Sequence, residues 1–250
     1  MPTRYADIAA TLPDHLAEFL DIPVAEVMAR MARARDQRNR LWVAADPRTE
    51  ADREKLYQSL GELDLLKYAE WHRTDVEKQA IHDVAVQAAT TSGAQARGAQ
   101  VLDCGGGIGD TTLVFAANDV PVTYMEFPGL CYDFAHFRWR KFGCADRVTV
   151  REPAAFWTLA PGSYDLLISI DVLEHLENPV KFAARYHTLL RPGGLLFLTA
   201  HFHHSAKNPD HLPENDAYRR LFGGERRTAR RSVLRNLGFK RRRWYRFVKP

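Results

Sequence analysis

From Tyr5 to about Ser92, apolar residues recur at threes and fours, as in Val24, Val27, Met28 and Met31 or Leu60, Leu63 and Leu66. That spacing lines one face of a helix, so the segment is predicted to be helical with no strand. Helix starts are marked at Asp21, with Pro23 just inside, and near Thr49. After the polar stretch Thr91 to Gln100 the texture changes. Short apolar runs at Gln100 to Cys104, Val120 to Met125, Val148 to Arg151, Tyr164 to Ile170 and Gly194 to Ala200 have strand length and β-branched content. Helix-like stretches lie between them at Gly109 to Asn118, Leu130 to Phe142 and Pro179 to Leu190. The last has Asn178 as N-cap, Pro179 in its first turn and Pro192-Gly193-Gly194 beyond its end. Strands alternating with helices predict an α/β fold, a doubly wound and mostly parallel sheet covered on both faces. Ligands of such sheets bind at the carboxyl ends of the strands.

The tail carries a helix candidate around Arg226 to Asn236, Gly238 as its stop, and one final strand over Phe239 to Val248. The chain therefore divides into an N-terminal helical cap or lid, residues 1–75, and a sheet-bearing domain, residues 76–250.

Composition narrows the class. With 250 residues, 46% hydrophobic and 26% charged, the chain is a globular protein that needs no staples. No stretch approaches eighteen consecutive apolar residues, and Met1 to Leu20 carries Asp7, Asp14, His15 and Glu18 where a signal peptide needs an apolar run. A cytoplasmic protein with no membrane partner is the expectation. Cys104, Cys131 and Cys144 are odd in number and lack CxxC spacing, which argues against a disulfide framework or a zinc ribbon. The net charge of +4 hides an asymmetry, because Arg219 to Pro250 holds 13 Lys/Arg against Glu225 alone and the rest of the chain is −8. RNA binding would have to rest on Arg226, Arg227, Arg230, Arg231 and Arg241 to Arg243, with the acidic remainder opposing a polyanion.

The densest chemical signal is VLDCGGGIGD, Val101 to Asp110. A strand ends at Cys104, a helix begins near Ile108, and Gly105, Gly107 and Gly109 alternate along the turn. Glycines there permit positive φ and close approach of backbone to a ligand. Asp103 can accept hydrogen bonds from a ligand amine. Glu126 closes the next strand, 21 residues after Gly105, where an acid takes two ribose hydroxyls.

D-x-G-x-G-x-G followed by Glu126 resembles the class I S-adenosylmethionine (SAM) dependent methyltransferase family. The resemblance continues through Tyr164-Asp165, the DVLEHL run Asp171 to Leu176 and LLRPGGLLFL at Leu189 to Leu198, covering about Val101 to Ala200. It implies a Rossmann-like sheet and SAM as cofactor. By the same resemblance, Asp103, Gly105, Gly106 and Gly107 line the methionine part, and Glu126 holds the ribose with Phe127 against adenine. Glu152, with Pro153 after it, stands where the family places an acid for the adenine amine. Ile170 and Asp171 face the cofactor's amino group or methyl donor.

The remaining candidates concern the acceptor. His201, His203 and His204 follow the fifth strand on the side where substrate enters. A histidine there can act as base or as metal ligand. If the strand ran on through them, His201 and His203 would share a face and His204 would point away, so no metal site is expected. His201, His203 and His175 are the candidate bases, and Glu174 and His204 candidate substrate contacts. Asp210, His211 and Glu214 could complete a polar wall, and Tyr68, Trp71 and His72, taken to end the helical segment, could close the pocket as a lid. The expected activity is methyl transfer to a small-molecule acceptor. Two other readings stay open: a cyclase or lyase consuming SAM itself, giving for example azetidine-2-carboxylate and methylthioadenosine, and an RNA methyltransferase using the basic tail.

Overall fold

The computed structural model describes residues 3–91, 98–219, 240–243 and 246–249. Six helices come first: α1 (Tyr5–Ala10), α2 (Leu12–Leu20), α3 (Val24–Ala45), α4 (Glu50–Ser59), α5 (Gly61–Thr74) and α6 (Val76–Thr91). The stripe Val27, Met31, Ala34 and Trp42 on α3 is buried, as are Leu60, Leu65, Leu66 and Ala69 around α5. Thr49 caps α4 through a bond from the Asp52 amide, and Asp52 returns one to the Thr49 amide. Asp21 does not begin a helix. It ends α2 in the left-handed region at φ 54°, and Pro23 is the residue before α3. A short polar residue suits either job, and sequence alone does not separate a C-terminal stop from an N-cap two residues before a proline. Nor do Tyr68, Trp71 and His72 end the helical segment, because Asp75 only breaks it before α6 resumes.

The sheet then forms from β1 (Val101–Cys104), β2 (Val122–Met125), β3 (Val148–Arg151), β4 (Tyr164–Ile170), β5 (Leu190–Thr199), β6 (Lys240–Arg243) and β7 (Arg246–Val248), in the order β3-β2-β1-β4-β5-β7-β6. The first five strands are parallel, and β7 runs antiparallel to β5 and β6. Helices α7 (Asp110–Ala116), α8 (Leu130–Lys141) and α9 (Pro179–Leu189) make the crossovers.

Alternate strand residues feed two cores. Val101, Val122, Tyr124, Leu166, Ile168 and Phe197 join a cluster with α1, α2, α3, α5, α6, α7 and α8. Leu102, Met125, Leu167, Leu196 and Leu198 join a second with Ala183, Tyr186 and Leu189 of α9. This two-sided burial is why the strands read as continuous apolar runs.

Two features of the sheet depart from expectation. β5 starts at Leu190, and Arg191 to Gly194 form a bulge at which the pairing jumps from Tyr164↔Leu190 to Leu166↔Leu195, with Gly193 at φ 79°. The glycines that look like a helix stop serve a bulge inside a strand. The tail supplies two strands rather than one, without an Asn-Gly or Asp-Gly signal between them. The helix candidate Arg226 to Asn236 lies outside the described residues. Among those described, no helix is long and apolar enough to cross a membrane.

Candidate functional site

The turn from β1 into α7 is built by glycine for two different reasons. Gly105, Gly107 and Gly109 have φ of 75°, 52° and 75°. A Cβ on Gly105 would stand 2.5 Å from Val172 Cγ2, and one on Gly106 2.6 Å from the Tyr124 ring, so these two are packing glycines. A Cβ on Gly107 would meet nothing within 4 Å, so the turn leaves free space there. The turn is held from beneath: the Gly105 and Gly106 amides donate to Met125 O at 2.9 and 3.2 Å, and Tyr124 Oη donates to Gly107 O at 2.6 Å.

Two carboxylates flank it. Glu126 accepts from the Gly107 amide on Oε2 and from the Phe127 amide on Oε1, both at 2.8 Å. Burial raises its pKa, and those two amides pull it back. Asp103 is buried and accepts from Thr112 Oγ1 at 2.7 Å. Burial pushes its carboxyl up to about 7, against the Thr112 bond and with help from the charge of Glu126. An acid so placed gains most from a cationic amine, and each Glu126 oxygen keeps a second lone pair for a hydroxyl. An open glycine turn with this donor set fits SAM. Phe127 is exposed, and Glu152 is exposed just after β3, preceding the 3₁₀ turn Pro153–Thr158. Pro153 occupies the first position of that turn, where a missing N–H costs nothing.

The carboxyl ends of β4 and β5 carry the second group. Asp171 follows β4 at φ 53°, with its amide donating to Thr199 O at 3.0 Å and its Oδ1 accepting from Thr199 Oγ1 at 2.6 Å. His201 Nδ1 lies 3.2 Å from the same Oδ1. Glu174 and His175 sit in the 3₁₀ turn Leu173–His175, and Glu174 Oε1 accepts from the His201 amide at 2.8 Å. β5 stops at Thr199, so the three histidines do not continue the strand. His203 is exposed, whereas His204 Nδ1 bonds His211 O at 2.7 Å.

Residues 201–219 fold back over the β4 turn. Leu212 N and Asn215 Nδ2 both donate to Glu174 O, at 3.1 Å each. The N-terminal helices close on this loop through charge. Buried Arg38 bonds Asp64 Oδ1 at 2.9 Å, and its Nη2 lies 3.0 Å from Asp210 Oδ2, close enough for charge pairing though not aligned as a hydrogen bond. Lys67 Nζ reaches the same oxygen at 3.4 Å. Against its burial, the charges of Lys67, His175 and Arg38 hold Asp210 well below the usual carboxylate range. Tyr57 Oη stands 3.3 Å from His175 Nδ1, and Asn39 Nδ2 donates to Lys207 O at 2.9 Å. Tyr68 belongs to this group, with Lys67 Nζ 5.1 Å from its ring centre. His72 and Trp71 point elsewhere: His72 Nδ1 bonds Asp110 Oδ2 at 3.0 Å and Tyr5 Oη at 2.8 Å, and Trp71 Nε1 donates to Asp75 at 3.1 Å.

Arg38, Asp64, Lys67 and Tyr57 were not among the sequence candidates. One signal existed, since Arg38 falls on the buried stripe of α3 between Ala34 and Trp42, where a charge is out of place unless paired.

The family profile of the methyltransferase domain matches residues 72–241. The chain belongs to the class I SAM-dependent methyltransferase family. SAM is its cofactor. No curated protein sequence matches the chain. Similar solved structures include the [4+2]-cyclase SpnF, 23% identical, covering 48% of this chain and 44% of that one at a TM-score of 0.42. A geranyl diphosphate methyltransferase in complex with GPP and sinefungin is 18% identical over 54% of this chain and 48% of its own, TM-score 0.42. Haemonchus contortus phosphoethanolamine N-methyltransferase 2 in complex with SAM is 23% identical over 57% and 33%, TM-score 0.44. This chain thus spans less than half the length of each.

Proposed function

We propose that this methyltransferase acts on a small-molecule acceptor enclosed between the N-terminal helices, residues 1–75, and the carboxyl edge of the sheet, with His201 as general base. The observation that carries the assignment is the Asp171–His201 contact at 3.2 Å. A carboxylate on Nδ1 fixes the imidazole tautomer that makes Nε2 the basic nitrogen. Bound SAM supplies an activated methyl group on a sulfonium. Asp103 and the glycine turn Gly105 to Gly107 hold its methionine end, Glu126 its ribose, and Phe127 and Glu152 its adenine. Ile170 and Asp171 border the donor.

What remains for the chain is to align an acceptor, exclude water and remove a proton from an oxygen or nitrogen nucleophile. The helices support enclosure, because α3, α4 and α5 are tied to the loops after β4 and β5 by Asn39–Lys207, Arg38–Asp210, Tyr57–His175, Arg53–Glu177 and Lys67–Asp210 contacts. Such a roof suits an acceptor buried whole rather than a polymer threaded across a surface.

In His201→Ala, kcat is expected to fall by ~10²–10⁴ and to climb with pH where the parent levels off, while affinity for S-adenosylhomocysteine stays unchanged. Single-turnover rates against pH and calorimetric titration of the product check both. An unchanged kcat would remove His201 from the chemistry.

A further inference from the structure

We propose that Glu174, His175 and His211 bind one divalent first-row transition-metal ion beneath the loop that follows β5. The three residues come from two separate segments, and each offers a ligand atom within 4.8 Å of the other two. Glu174 is 0% exposed and His211 8%. Glu174 Oε1 is taken by the His201 amide, but Oε2 is buried with no hydrogen-bond partner, and His211 Nδ1 is buried in the same condition. Two buried polar atoms without partners, on residues whose ligand atoms lie within 4.8 Å of one another, are costly unless something satisfies them.

Their surroundings are those of ligands. His175 Nδ1 lies 3.1 Å from Asp210 O, a carbonyl that can accept its proton and leave Nε2 with the lone pair. Imidazoles that bind metals are oriented in this way by a carbonyl or carboxylate on the other nitrogen. The Glu174 backbone is fixed by Leu212 and Asn215, and its Oε1 is held by the His201 amide. Neither positive neighbour competes for it, since Arg38 and Lys67 are committed to Asp64 and Asp210. Two imidazoles and one carboxylate suit Zn²⁺ or Co²⁺ better than Mg²⁺, which prefers an all-oxygen shell. An ion there would stand beside His201, whose amide shares Glu174, and could polarise an acceptor oxygen. The site itself depends on neither the acceptor nor the base.

The sequence pattern hides this group. His201, His203 and His204 draw attention by adjacency, yet the ligands pair Glu174 and His175 with a histidine 36 residues downstream.

The test uses full-length protein stripped with a chelator and titrated separately with Zn²⁺, Co²⁺ and Mg²⁺, followed by calorimetry, metal content after dialysis and the Co²⁺ visible spectrum. One Zn²⁺ or Co²⁺ per chain is expected, with Mg²⁺ far weaker. Glu174→Gln and His211→Ala should each weaken the ion by ~10–100-fold, and His136→Ala on α8 should not. S-adenosylhomocysteine binding by the same samples reports whether the variants are folded. Absence of a stoichiometric ion in the parent protein overturns the site, as does affinity untouched by both substitutions. If a variant fails to fold, the parent's stoichiometry and Co²⁺ spectrum still decide.

Discussion

Arg138→Ala is expected to lower the unfolding free energy by ~3–5 kcal/mol and the thermal midpoint by roughly 10 °C. Arg138 is fully buried on α8, where its guanidinium pairs with Asp110, donates to Ile8 O at 2.8 Å and contacts Thr11 Oγ1 at 3.2 Å and His15 Nδ1 at 3.3 Å. Asp110 is equally buried at the start of α7 and also holds His72, which holds Tyr5. One cation therefore joins α1, α2, α7 and α8. Removing it leaves the buried Asp110 carboxylate without its cationic partner and away from water, which is the expensive half of breaking a buried pair. Replacing both charges together, as Arg138→Met with Asp110→Leu, should recover much of the loss, because no lone charge is left behind. Chemical and thermal denaturation of the three proteins check this. A midpoint within about 2 °C of the parent for Arg138→Ala would mean that the pair carries no weight.

Glu126→Ala should weaken S-adenosylhomocysteine by ~10²–10³-fold, and Glu126→Gln by less. Hydrogen bonds from two hydroxyls to one carboxylate are charge-assisted, and each is worth about 1.5–3 kcal/mol. The carboxylate is already aimed, since the Gly107 and Phe127 amides grip one oxygen each at 2.8 Å, so little ordering remains to be done on binding. Glutamine keeps one acceptor and presents its amide hydrogens to a backbone N–H. Calorimetry with the purified variants measures the loss. Affinity within threefold of the parent, about 0.7 kcal/mol, would move the ribose to another residue.

The sheet was legible because its signals are local. Parallel strands buried on both faces appear as apolar runs, and β3 and β4 begin and end where the pattern says. The glycine turn and Glu126 were equally plain, since ligand backbone contacts demand particular residues at particular spacing. The acceptor side was not. Asp171, Glu174 and His175 are close in sequence, but Tyr57 and His211 reach His175, and Arg38 and Lys67 reach Asp210, only through the packing of α3, α4 and α5 on the loop after β5. Pairings that distant leave no periodicity. His72 was misleading for a related reason: an aromatic-rich helix end looks like a lid, whereas its histidine is consumed by Asp110 and Tyr5 in the anchor described above. The bulge at Arg191 to Gly194 shows the limit of reading glycine alone, since the same residues stop a helix or kink a strand according to which partner the chain finds.

Methyl transfer to a small acceptor is tested with methyl-labelled SAM. Purified protein would be incubated with labelled SAM alone, with a small-metabolite fraction and with total RNA, and the label followed by chromatography. Label is expected in a new small product only when the metabolite fraction is present, with S-adenosylhomocysteine formed in equal amount. Methylthioadenosine from SAM alone, or label carried into RNA, would contradict the account.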